Sequence, residues 1–162
     1  MAKMTLKGFD EYEMKLSRMK LAYQDEIIGA CVYVGAEKVA NACKASIRAL
    51  PVVTGWGTQD HPLPGGVTAD QKAGLIEGFG ISNARNDNGY VNVKLGFDGY
   101  NSTYTDNFPN GQPNQLVARG VESGTSWKRK HPFIRPAVNA SRGAAIAAMK
   151  DECDKRTAKY MK

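Results

Sequence analysis

Apolar positions first mark out an amphipathic helix near the start of the chain. Phe9, Tyr12, Leu16, Met19, Tyr23 and Ile27 recur at intervals of 3, 4, 3, 4 and 4, the repeat of one face of an α-helix. Gly8 precedes the stripe, and Asp10, Glu11 and Glu13 occupy its first turns, where the helix dipole favours acids. A second helical stretch reaches Leu50, rich in alanine (Ala36, Ala40, Ala42, Ala45, Ala49) and carrying Cys31, Val32, Val39 and Ile47. Gly29 and Gly35 leave a break or a kink open, so 8–50 reads as two helices or one kinked helix. Pro51 ends it, because the residue before a proline is pushed out of the helical region.

From Pro51 to Gly74 the apolar period disappears among prolines and glycines, which predicts a long loop, functional or disordered. Trp56 within it is a candidate contact residue or a lid folded back on the core. Leu75 to Ser82 reads as a strand weakened by Gly78 and Gly80, and Asn86-Asp87-Asn88-Gly89 as a turn. Tyr90 to Phe97 alternates: Val91, Val93, Leu95 and Phe97 on one face, Tyr90, Asn92 and Lys94 on the other. That is the half-buried pattern of an antiparallel sheet. A second polar loop, 98–114, carries Tyr100, Tyr104 and Phe108, and Gln115 to Ser123 returns as a strand. Past a turn at Ser123 to Ser126 come the cations Lys128, Arg129 and Lys130 with His131, then Pro132-Phe133-Ile134-Arg135-Pro136, and a last helix over 136–160. The sum is one domain, 1–162: helices 8–50, a loop 51–74, a sheet of about four strands with its long loop over 75–126, and a C-terminal helix. Helices and strands are segregated, which argues α+β with an antiparallel sheet and against alternating βαβ units.

Composition adds little to this but charge adds something. With 162 residues, 42% of them apolar, the chain has enough length for a core without a metal or disulfide. No apolar run reaches the ~18 residues of a membrane span, and the opening MAKMTLKGFDEYEM lacks a secretory h-region. The expectation is a chain made in the cytosol, with no membrane partner and with Cys31, Cys43 and Cys153 as reduced thiols. Lys and Arg number 8 against 6 acids in residues 1–50, 3 against 6 in 51–114, and 11 against 4 in 115–162. A basic end beside an acidic middle suits nucleic acid, or association between patches of opposite sign.

Catalytic and metal patterns are missing. His61 and His131 each precede a proline, no CxxC or HExxH occurs, and Cys31 and Cys43 stand about 120° apart on an ideal helix. There is no phosphate-binding GxxxxGK[ST] and no Gly-x-Ser-x-Gly elbow. Glu77 and Glu122 facing each other across a sheet would be the only hydrolase pair, and unrelated exposed acids are the simpler reading. The expectation is no enzyme, no cofactor and no metal.

Taken together, four features form an ordered series: the helix from Lys7 to Leu16, the Ala-rich helix closing at Leu50-Pro51 before Thr54-Gly55, the corner Gly120-Val121-Glu122-Ser123-Gly124-Thr125, and the box His131-Pro132-Phe133-Ile134-Arg135-Pro136-Ala137. This series resembles the tail-component or tail-completion proteins of long-tailed bacteriophages, also called neck or head-tail joining proteins. The resemblance spans nearly the whole chain, with a middle longer and more polar than the family's. It implies a small α+β subunit, without catalysis or cofactor, that assembles with itself into a sixfold ring between the capsid connector and the tail tube. DNA would meet it only in passing through the channel, and the protein would reside in the virion neck after assembly in the host cytoplasm. Interface centres favour Trp, Tyr, Phe and Arg, which makes Trp56, Tyr100, Tyr104, Phe108, Trp127 and Arg135 candidate contacts, with Glu122, Lys128, Arg129 and Lys130. Phe133 and Ile134 fit a core plug better than a contact. Arg135 either caps a carbonyl at the helix entry or pairs with Glu122 at a subunit boundary. The alternative function is a nucleic-acid-binding module, with Lys128 to His131 on phosphates and Trp127 as a stacking platform.

Overall fold

The computed structural model describes residues 9–55 and 57–161; Trp56 and the Lys7-Gly8 opening lie outside the described residues. The N-terminal stripe folds as α1 (Phe9–Ala22), a π-helical segment (Tyr23–Ile28) and α2 (Gly29–Ala49). The expected kink is thus a π turn, a one-residue insertion into the helical ladder, and both glycines stay inside α2. Gly35 has a packing reason: a Cβ there would come 2.5 Å from Cγ of Met149. Met149 belongs to α5 (Ile134–Met161), the C-terminal helix, which begins two residues before the predicted start. α5 runs antiparallel to α2. Ser46 Oγ donates to the Phe133 carbonyl at 2.8 Å at one end, and the Tyr160 hydroxyl donates to Glu26 at 2.9 Å at the other.

Two segments expected as loop or strand are helices. α3 (Ala69–Gly78) takes the end of the 51–74 loop and the first half of the strand expected over 75–82, whose second half forms Phe79–Ile81. Its start is a reciprocal capping box: the Gln71 N–H donates to Thr68 Oγ1 at 3.2 Å, and the Thr68 N–H to Gln71 Oε1 at 3.1 Å. α4 (Asn114–Ser123) replaces the strand expected over 115–123. Val117 and Val121 are four apart, so a helix puts both on one face with Ala118, and all three are buried. Gly124, at φ 78°, ends it, a backbone conformation open to glycine.

The strands form one long interrupted hairpin. β1 (Phe79–Ile81) pairs antiparallel with β4 (Leu95–Phe97), and β2 (Arg85–Asp87) with β3 (Tyr90–Asn92). Three residues separate β1 from β2 but only two separate β3 from β4, so the register slips by one, as at a bulge. The single strand expected over 90–97 is therefore split at Val93-Lys94. Asn88 (φ 55°) and Gly89 (φ 89°) make the tip, the two left-handed residues that a tight hairpin turn requires.

The core gathers Ile47 of α2, Leu50 just past its end, Val67, Leu75, Phe79, Val117, Val121 and Phe133. Phe97 stacks at a tilt on Phe79 (5.1 Å between centroids) and Phe133 (6.4 Å), tying the hairpin to the proline-bounded segment. The fold is α+β, with five α-helices and four short antiparallel strands in two pairs among the described residues.

Candidate functional site

The segments that connect the helices are held by backbone pairing. The Val53 N–H donates to the Val67 carbonyl (2.9 Å) and the Val67 N–H to the Pro51 carbonyl (3.0 Å), which closes the base of loop 51–68. Its middle is laid on the elbow 124–133: the Leu63 N–H donates to the Trp127 carbonyl and the Arg129 N–H to the Leu63 carbonyl, both at 2.9 Å. Gly57 lies so close to the Trp127 carbonyl that no Cβ would fit. Thr125 and Lys128 exchange N–H···O bonds of 2.9 and 3.3 Å, with Ser126 and Trp127 at the tip. The Trp127 backbone is thereby fixed while its side chain stays 58% exposed.

Loop 98–113 is tethered by two buried asparagines. Asn114 Nδ2 donates to the Asp98 carbonyl at 2.8 Å, and both the N–H and Nδ2 of Asn101 donate to the Gln112 carbonyl at 2.9 Å. Satisfied amides inside a fold order their surroundings, so this polar stretch is not a floppy insertion. Tyr100 and Tyr104 stand on it 67% exposed each, while Phe108 is half-buried. Between the two loops and α4 opens a cavity of about 610 Å³, walled chiefly by Val53, Leu63, Phe108, Leu116, Trp127 and Lys128. The fold thus brings Phe108, Trp127 and Lys128 together; Tyr100 and Tyr104 do not line that cavity.

Glu122 and Arg135 meet in a different way from either expectation. The residue before α5 is Phe133, which has no side-chain acceptor for the helix's orphan donors. Glu122, at the end of α4, supplies one: its carboxylate accepts from the N–H groups of Phe133 (2.8 Å), Ile134 (2.9 Å) and Arg135 (3.0 Å). Pro136 has no N–H to satisfy. Burial alone would raise the Glu122 carboxyl, but the three N–H donors and the nearby Arg135 charge carry it below the ordinary range. Phe133 is buried in the core, and the Arg135 side chain is exposed.

The basic cluster divides. Arg129 and Lys130 are exposed, whereas Lys128 is half-buried and its ammonium pushed down by burial. The His131 N–H donates to the Val121 carbonyl at 2.8 Å, continuing the end of α4. Glu77 and Glu122 lie on α3 and α4, not across a sheet.

Two features escaped the sequence. Tyr90, the hairpin-tip aromatic, is 73% exposed; its position just after Asn88-Gly89 was the available signal. Cys31 faces Cys153 across α2 and α5, and burial, then the Cys153 thiol, pushes it up to about 11; antiparallel helix register, invisible in sequence, brings them together. Among the described residues no group of three or more His, Cys, Asp or Glu is placed to hold a metal ion, and no helix is long and apolar enough to cross a membrane. Compared with models of known protein families, with curated proteins and with solved structures, the chain matches none.

Proposed function

We propose that this chain is a structural subunit of the head-tail junction of a long-tailed bacteriophage, a tail-completion or neck protein that forms a ring with copies of itself. In this reading it joins the connector to the tail tube around the DNA channel and catalyses nothing. One observation carries it: Tyr90, Tyr100, Tyr104 and Trp127 are all more than half exposed, and all stand on hydrogen-bonded segments between helices. Large aromatics on pre-ordered backbone are the residues from which interface centres are made, at small entropic cost on docking. A closed ring needs two different patches that meet head to tail, and two tethered loops beside an elbow supply separate patches.

The corner and the C-terminal box form a single unit here, because Glu122 of the first holds the helix start in the second. Mass spectrometry of purified particles from the virus encoding the chain tests the assignment. Expected are peptides of this chain, cross-linked through loops 51–68 or 98–113 to ring neighbours; particles lacking the chain overturn it.

The nucleic-acid alternative retains Arg129, Lys130 and the exposed Trp127, but Lys128 is partly withdrawn from any phosphate. Specific phosphate contacts weaken steeply with salt. DNA affinity that persists at moderate salt and disappears in Trp127→Ala favours that alternative.

A further inference from the structure

The apolar stripe of the N-terminal helix is covered at one end only. Ile27 is fully buried, yet Tyr12 is 49% exposed, Leu16 37% and Tyr23 43%. The cause is length. α5 reaches Met161, and Tyr160 is already level with Glu26, so the antiparallel register leaves the greater part of α1 beyond the end of its partner. What remains is most of a helix of 14 residues, itself about 20 Å long at ~1.5 Å per residue, with a seam on which Met19 is half-buried and Tyr12, Leu16 and Tyr23 are exposed.

The seam has a specific grammar. Tyr12, Leu16, Met19 and Tyr23 alternate steps of four and three, the heptad spacing by which two helices interlock. Charge is divided along the arm: Asp10, Glu11 and Glu13 in its first half, Lys15, Arg18 and Lys20 in its second. A second copy laid parallel would put acid beside acid and Lys15 against Lys20. Laid antiparallel, Tyr12 meets Tyr23 and Leu16 meets Met19 of the other copy, and Glu13 faces Lys20 twice by symmetry. Glu13 and Lys20 are both exposed flanking positions. Self-complementarity of this kind is what a twofold contact demands.

We propose that α1 is a docking arm for a second copy of this chain, pairing antiparallel with α1 of that copy through Tyr12, Leu16, Met19 and Tyr23, with Glu13 and Lys20 setting the direction. The contact is additional to the ring contacts proposed above and stands without them. A twofold contact between arms would join subunits in pairs, whereas loop contacts repeat head to tail.

Sedimentation equilibrium on the full chain, from micromolar to near-millimolar, tests it with charge reversals. The wild type is expected to show a reversible dimer. Glu13→Lys and Lys20→Glu each replace two attractions by two repulsions, and each should weaken the dimer by about tenfold or more, because two ion pairs become two like-charge contacts at once. The two variants mixed in equal amounts should pair with each other, because every reversed charge then meets its opposite. Circular dichroism of each variant verifies that the helices persist. A wild-type chain monomeric throughout overturns the proposal, as does an oligomer indifferent to both reversals. Failure of the mixture to recover the dimer overturns the antiparallel arrangement. Alanine at Tyr100, Tyr104 and Trp127 should leave this dimer intact, which separates its failure from failure of the ring reading.

Discussion

Removing the Glu122 carboxylate tests how the C-terminal helix is started. In Glu122→Ala, the N–H groups of Phe133, Ile134 and Arg135 lose their acceptor. Hydrogen bonds to a charged group are worth about 1.5–3 kcal/mol each. The bond to Arg135 is solvent-exposed, so water replaces much of it, and counting the other two at the low end gives a loss of about 3 kcal/mol. For a domain of this size each kcal/mol moves the melting midpoint by about 2–4 °C, so differential scanning calorimetry should show a fall of about 6–12 °C. Glu122→Gln keeps one acceptor oxygen without the charge and should lose about half as much. The pH dependence has a definite sign. The folded carboxyl titrates below its ordinary value, so its stabilisation is complete above the unfolded pKa of ~4.3 and is lost as pH falls through the folded pKa. The gap between wild type and Glu122→Gln should therefore close in acid. An unchanged midpoint in Glu122→Ala, or a gap that widens on acidification, refutes the capping account.

Four further outcomes are expected. Phe133→Ala, which empties a buried site against Phe97, should cost about 3–5 kcal/mol by urea unfolding; a loss within the ~0.5 kcal/mol scale of ordinary surface changes would contradict its place in the core. Tyr100→Ser with Tyr104→Ser should leave the urea midpoint nearly unmoved, since both side chains are mostly exposed, and under the proposed ring should abolish cross-links between copies; retained cross-links count against the proposed loop contacts. Cys31, pushed up to about 11, should resist iodoacetamide at pH 8 in the folded chain and react on unfolding. Because its folded pKa exceeds the unfolded ~8.5, stability should decline as pH rises between the two; rapid native labelling of Cys31 would contradict its burial. Gly57→Ala, forced against the Trp127 carbonyl, should speed amide exchange at Leu63 and Arg129, and unchanged exchange there would show that the loop does not rest on the elbow.

Much was legible where a local pattern met a single repeat. The long N-terminal helix, its end at Pro51, the tight turn at Asn88-Gly89, the C-terminal helix and the α+β class all follow from apolar spacing and from what proline and glycine do to a backbone. The capping box Thr68-Ala69-Asp70-Gln71 that starts α3 passed unread among the prolines and glycines around it. In α4 the four-residue interval from Val117 to Val121 likewise passed unread in a stretch that reads as strand. The candidate contacts were found by residue type; that Phe108, Trp127 and Lys128 wall one cavity was not.

The chain's own sequence determined that its N-terminal and C-terminal stretches are helical, where the first of them ends and which residue types were available for contact, because these depend on neighbours within a turn. Tertiary structure alone decided that Glu122 caps a helix eleven residues onward, that Cys31 meets Cys153, and that α5 covers only part of α1. Each of those depends on how two distant helices slide against one another. That offset is set by the packing of the whole core, with no trace in any local interval.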